Sequence, residues 1–133
     1  MKIAICGSMS AAKEMIECKK ELKKLGHSIT VPAGTEKFLK GEVRNEDKWE
    51  KMEIEAFKTY FNIIKKNDAI LVVNIDKNNI RGYIGANSLI EMAFAYVLDK
   101  KIFLLNEIPK LNYVDEIIAT KPIVLNGDLK KIN

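Results

Sequence analysis

The stretch AILVVNI, residues 69–75, decides how the rest of the chain reads. It is apolar at every position except Asn74, and partly β-branched. A strand wetted on one face alternates apolar and polar residues, whereas an unbroken apolar run belongs to a strand covered on both faces, as at the centre of a parallel sheet. Outward from this strand, helical and extended patterns take turns. Upstream, KIAIC (2–6) is a first strand, a helix follows from about Ser10 to Leu25, and residues 27–31 form a short second strand closed by Pro32. Residues 33–44 read as a loop with one helical turn, and a long helix runs from about Glu46 to Lys66. Downstream, a helix spans about Asn87 to Leu98 and KIFLL (101–105) is a fourth strand. A short helix covers 113–119, and PIVLN (122–126) is a fifth strand whose leading proline suits a sheet edge.

Alternation of this kind, with right-handed crossovers, predicts an α/β, flavodoxin-like three-layer sandwich around a five-stranded parallel sheet of order 2-1-3-4-5. No repeat, low-complexity segment or linker interrupts it, so residues 1–133 are expected to form a single domain. In the first helix Ala11, Met15, Cys18, Leu22 and Leu25 advance by three and four, a core-facing stripe, with Ser10 as N-cap and Gly26 just past the end. In the long helix Trp49, Met52, Ala56, Phe57, Tyr60, Ile63 and Ile64 line one side, read as core rather than as a base-stacking platform.

Composition narrows the function classes. Apolar residues make up 47% and charged residues 30%, the balance of a globular protein, and the apolar runs are too short to span a bilayer. MKIAIC starts a strand at once and has no signal-peptide pattern, so a cytoplasmic location is expected. Cys6 and Cys18 form no CxxC pair and His27 is the one histidine, which argues against a Cys/His zinc site; neither metal nor redox cofactor is expected. The net charge of +4 comes from lysines spread along the chain, and KKELKK (19–24) reads as a wet helix face. Neither a nucleic-acid polymer nor a membrane is an expected partner; an anionic small molecule is compatible.

In sheets of this order ligands bind beyond the carboxyl ends of the strands where the order reverses, between strands 1 and 3. The loops there are CGSMS (6–10) and NIDKNNIRGYIGANS (74–88). Gly7 suits a tight turn, and Ser8 and Ser10 offer hydroxyls beside the amides that open the first helix, a position that attracts anions. Neither GxGxxG nor the P-loop pattern is present. The second loop brings hydrogen-bonding side chains, among them Asp76, Arg81, Tyr83, Asn87 and Ser88.

Glu91 is the single charged residue between Ala86 and Leu98. It has two readings that do not exclude each other. In one, Ser88 is an N-cap and Glu91 completes a capping box. In the other, Glu91 is a cleft-facing carboxylate, favoured in its ionised form by the helix N-terminus and disfavoured by its apolar neighbours, and competent as a nucleophile toward a sugar carbon.

KIAICGSMS, NDAILVVN and GANSLIEMAFAYVLDKKIFLL together resemble the nucleoside 2-deoxyribosyltransferase-like family, which includes 2′-deoxynucleoside 5′-phosphate N-hydrolases. The similarity runs in order over most of the chain. It implies cleavage or transfer at the N-glycosidic bond of a nucleoside or nucleotide, with Glu91 as catalytic nucleophile holding the sugar covalently. Gly7, Ser8 and Ser10 would contact sugar or phosphate, and Asp76, Arg81, Tyr83, Asn87 and Ser88 would order the substrate. The resemblance also implies a homo-oligomer and no cofactor. The chain departs from the family pattern at three places: Tyr60 stands where an aspartate is expected, Gly85 lies near an acidic position, and MSAA follows the first-strand serine. A nucleophile cannot also protonate the leaving base unaided. Two other readings follow: a nucleotide-binding sensor without catalysis, and a flavin binder on the same fold.

Overall fold

A computed structural model of the chain describes the backbone of residues 1–41 and 49–133, and the side chains of residues 1–41 and 56–133. Five strands form one parallel sheet in the order β2-β1-β3-β4-β5, where β1 is Lys2–Cys6, β2 Ser28–Thr30, β3 Ala69–Val72, β4 Lys101–Leu104 and β5 Ile123–Val124. This is the flavodoxin-like architecture expected from the alternation. The helices are α1 (Ala12–Lys24), α2 (Thr35–Leu39), α3 (Trp49–Lys65), α4 (Ala86–Val97) and α5 (Val114–Ala119). The start of the long helix at Glu46 and the side chains of Trp49 and Met52 lie outside the described residues.

The period of two along each strand divides the core between the two faces of the sheet. Ile3, Ile5, Leu71, Val73 and Phe103 pack with Met15, Cys18 and Leu22 of α1 on one side. Ala4, Cys6, Ile70, Val72, Ile102 and Leu104 pack with Tyr60 and Ile64 of α3, Met92 and Ala95 of α4 and Ile117 of α5 on the other. Every residue of β3 is buried, which is why its sequence has no alternation. Cys6 pairs with Val72 and Val72 with Leu104, so the carboxyl ends of the three central strands finish level. That register is what gives the sheet a common rim.

The helix ends follow local chemistry in part. Gly26 has φ +95°, and its N–H reaches the Lys23 carbonyl at 3.0 Å while the His27 N–H reaches that of Leu22 at 3.1 Å. This is a Schellman end, and it requires the left-handed conformation that glycine adopts freely. Leu25, the last position of the expected stripe, caps this helix and is exposed instead of buried. Ser10 is not the N-cap of α1: residues Met9–Ala11 form a 3-10 turn first, and α1 begins at Ala12 with Ala11 as its cap. Cys6 and Cys18 are both buried and unbridged. Among the described residues no helix is long and apolar enough to cross a membrane.

Candidate active site

The loops on the rim start from different strands and make two separate neighbourhoods. The first lies where the strand order reverses. β1 ends at Cys6, whose side chain points to the α3–α4 face and is fully buried. The chain then turns through Gly7, where an added Cβ would stand 3.1 Å from the Met15 sulfur and 3.5 Å from the Val73 carbonyl. Ser8 and Ser10 are exposed, and their hydroxyls bond each other at 2.5 Å.

Glu91 comes from α4 and lies beside Cys6. The helix starts at Ala86 after an extended Gly85, and the Leu89 N–H closes the first turn on the Gly85 carbonyl at 3.0 Å. Ser88 is therefore inside the helix and buried, and no side chain caps the helix, so the expected capping box does not form. With this start, Ser88, Met92 and Ala95 share the spacing that faces the sheet, and Glu91 lies beside that stripe in the second turn. Asn87, by contrast, is exposed.

The Glu91 carboxyl is partly buried, and burial raises its pKa to about 8; the nearby Cys6 thiol opposes part of that shift. The macrodipole acts mainly in the first turn, one turn below Glu91, so desolvation outweighs it. The same contact works in reverse on Cys6. Burial first, then the nearby Glu91, pushes the thiol well above its usual range. Tyr60 of α3 completes the cluster: its phenol donates to the Ile5 carbonyl, and burial, then the Cys6 and Glu91 charges, hold its proton on. At neutral pH this is a cluster of largely protonated acids at the end of β1.

The second neighbourhood joins the loops after β3 and β4. Asn74 is buried, and its amide donates toward the carbonyls of Gly82 (3.2 Å), Asn106 (3.2 Å) and Glu107 (3.0 Å). Asn106 answers with its backbone N–H to Asn74 Oδ1 and its side-chain amide to the Asn74 carbonyl, each at 2.9 Å. The Asp76 carboxylate accepts from the Gly82 N–H at 2.9 Å. Gly82 has φ +65°, and a Cβ there would come within 2.5 Å of the Glu107 carbonyl oxygen, so both conformation and space require glycine. Between them Lys77 and Ile80 form a two-residue hairpin across Asn78 and Asn79, both at positive φ, the type I′ geometry that asparagine tolerates. The Tyr113 phenol donates to the Ile84 carbonyl at 2.5 Å, and burial first, then nearby Tyr83, raises its pKa.

The residues expected to order a substrate thus divide. Gly7, Ser8 and Ser10 lie on the turn that follows β1, and Asn87 and Ser88 lie on the Glu91 helix. Asp76 and Arg81 instead line shallow depressions with Ile75, Gly82, Asn106, Glu107 and Asn126, and Glu91 borders neither of these. Arg81 is exposed, its nearest carboxylate oxygen that of Glu107 at 4.0 Å. Among the described residues no group of three or more His, Cys, Asp and Glu side chains is placed to hold a metal ion.

A 2-deoxyribosyltransferase has the same fold. That solved structure, of the enzyme from the psychrotolerant bacterium Bacillus psychrosaccharolyticus, superposes with a TM-score of 0.55 over 78% of this chain and 71% of that one, at 18% identity. At that identity the likeness is one of fold. No protein-family model matches the sequence, and no curated protein matches it either.

Sequence reasoning missed two contributors. Cys6 enters the sequence reading only as an argument against a zinc site, although its position two residues after Ala4 puts both on one sheet face. Tyr60 was assigned to the core, where it is; its reach to the β1 backbone depends on how α3 crosses the sheet, which no local pattern encodes.

Proposed function

We propose that the chain cleaves or transfers at the N-glycosidic bond of a nucleoside or nucleotide, with Glu91 as nucleophile. The observation that carries this reading is the position of the Glu91 carboxyl against the end of β1, at the order reversal of a sheet shared with a 2-deoxyribosyltransferase. In the reaction the Glu91 carboxylate attacks the anomeric carbon. A C–O bond forms as the C–N bond breaks, and the base departs with the electron pair and takes up a proton. Water or a second base then displaces the glutamate and frees the sugar. Gly7, Ser8 and Ser10 would hold the sugar or its 5′-phosphate through backbone N–H groups and hydroxyls, with Asn87 and Ser88 beside them. Asp76, Arg81 and Tyr83 would act from the neighbouring loop. A homo-oligomer would place further side chains at this rim.

Attack requires the ionised carboxylate. With Glu91 titrating at about 8, the rate of base release rises with pH through that value and levels above it. The test is incubation with a panel of nucleosides and nucleoside 5′-monophosphates, followed by chromatography for free base. Wild type is expected to release base from at least one of them, and Glu91→Gln to lose at least a hundredfold of that rate while still binding the same compound. Base release by Glu91→Gln at the wild-type rate would remove Glu91 from the reaction.

A second reading has its own support. Glu91 is mostly protonated at neutral pH, and the Tyr60 proton is committed to the Ile5 carbonyl, as in a site that grips ribose hydroxyls without cleaving. Under that reading the panel yields no free base, and calorimetry still detects nucleotide binding that Glu91→Gln weakens.

A further inference from the structure

We infer that Tyr60 is a positioning residue for the turn at residues 7–10. Its phenol supplies the donor that the sheet ladder lacks at the end of β1, which fixes where that turn leaves the sheet. The inference rests on the proposed function only for what the turn binds; the anchoring itself follows from the ladder. Ile5 and Cys6 are the last two residues of β1, and successive carbonyls of a strand point toward opposite neighbours. The Cys6 carbonyl accepts from the Val73 N–H at 2.8 Å, on the β3 side. The Ile5 carbonyl therefore turns toward β2. There the register pairs Lys2 with Ser28, Ile3 with Ile29 and Ala4 with Thr30, and β2 ends. One step further, the nitrogen that a parallel ladder would bring to the Ile5 carbonyl is that of Pro32, which carries no hydrogen.

A buried carbonyl without a donor is costly. Ile5 is fully buried, and Tyr60 of α3, itself in the core on the α3–α4 face, donates its phenol O–H to this carbonyl. Pro32 meanwhile turns the chain off the sheet and into α2: its carbonyl accepts from the Thr35 N–H at 3.2 Å and from the Thr35 hydroxyl at 2.6 Å. The end of β1 is thus held from two sides, by β3 through Cys6 and by α3 through Ile5. Gly7 follows directly, seated so closely that a Cβ there would stand 3.1 Å from the Met15 sulfur. With both carbonyls held, the turn that carries Ser8 and Ser10 has one position. Plain core filling predicts otherwise: phenylalanine would fill the same space, and the turn would not respond to a donor added at position 32.

The experiment compares wild type with Tyr60→Phe and with the double variant Tyr60→Phe/Pro32→Ala, in which position 32 regains an N–H. Backbone relaxation dispersion by NMR is expected to show residues 7–10 quiet in wild type, exchanging on the microsecond-to-millisecond scale in Tyr60→Phe, and quiet again in the double variant. The N–H restored at position 32 is expected to be protected from hydrogen exchange. For any nucleoside or monophosphate that releases base, Tyr60→Phe is expected to raise KM about tenfold, the weight of one hydrogen bond, with kcat nearly unchanged, and the double variant to recover most of the loss. A mere loss of folded protein would lower kcat and leave KM alone. A turn as quiet in Tyr60→Phe as in wild type overturns the inference, and so does a mobile turn with an unchanged KM. A double variant whose turn stays mobile, or that fails to fold along with Tyr60→Phe, overturns it too, since a donor at position 32 then does not replace the phenol. A double variant that folds where Tyr60→Phe does not upholds it. Restored quiet in the double variant without base release from any compound upholds the anchoring and overturns the catalytic reading alone.

Discussion

The two neighbourhoods on the rim solve the problem of buried polarity in opposite ways. Around Asn74 the groups are amides and backbone, each donor finds an acceptor, and nothing in the Asn74–Asn106 pairing titrates. Around Glu91 the groups are ionisable and under-supplied: a carboxyl, a thiol and a phenol share few hydrogen bonds, and all three are pushed toward their protonated forms by burial. Satisfied polar networks hold a frame rigid, whereas a poorly satisfied ionisable group costs stability and supplies reactivity. The contrast teaches where to look on this fold. The loop richest in polar residues is the brace, and the helix poorest in them holds the carboxyl whose pKa burial raises.

The largest expected effect breaks the brace. Asn74→Ala removes the amide that joins two loops and leaves an N–H and several carbonyls without partners, at a cost of about 3–4 kcal/mol. Because no titrating group is lost, chemical denaturation should give the same deficit at pH 5, 7 and 9. A deficit that varied with pH would mean that the two neighbourhoods are coupled.

The next effect has the opposite sign and does depend on pH. A carboxyl whose folded pKa is raised adds stability below its unfolded pKa, and that stability is lost as pH rises toward the folded value. For Glu91 the window runs from about 4.3, the unfolded value, to about 8. Glu91→Gln keeps the shape without the charge. Its thermal stability should match wild type near pH 4 and exceed it at pH 8.5, by roughly 2–3 kcal/mol after allowing for the partial exposure of the site. Parallel melting curves across this range would show that Glu91 is not desolvated.

The smallest effect sharpens the boundary between the regions. Arg81 and Glu107 are exposed and 4.0 Å apart, so Arg81→Ala should cost less than about 0.5 kcal/mol. If Arg81 orders a substrate, the same change raises the KM for that substrate without altering the melting temperature. An unchanged KM would confine the substrate to the β1–α4 side.

Much of the frame was legible because it is written in short-range patterns. The unbroken apolar run of β3 announced a strand buried on both faces, and the strand order followed from alternation and handedness. The lone carboxyl of α4 was visible as an anomaly against its neighbours. The capping box was a misreading of the same kind of evidence. Ser88 and Glu91 have the right spacing, but the helix begins at Ala86, so Ser88 lies inside it and caps nothing.

By itself, then, the amino-acid order determined the sheet, its layers, its rim and an unexplained acid on the fourth helix. Only tertiary structure decided what that acid meets. Cys6 and Glu91 lie far apart in the chain and come together because the register of β1 on β3 sets the level at which β1 ends, and the packing of α4 sets which side chain faces that end. Periodicity assigns a residue to a face of its own element. Which residue of another element it meets is fixed by register and helix packing, and the ionisation of Glu91 depends on that second choice.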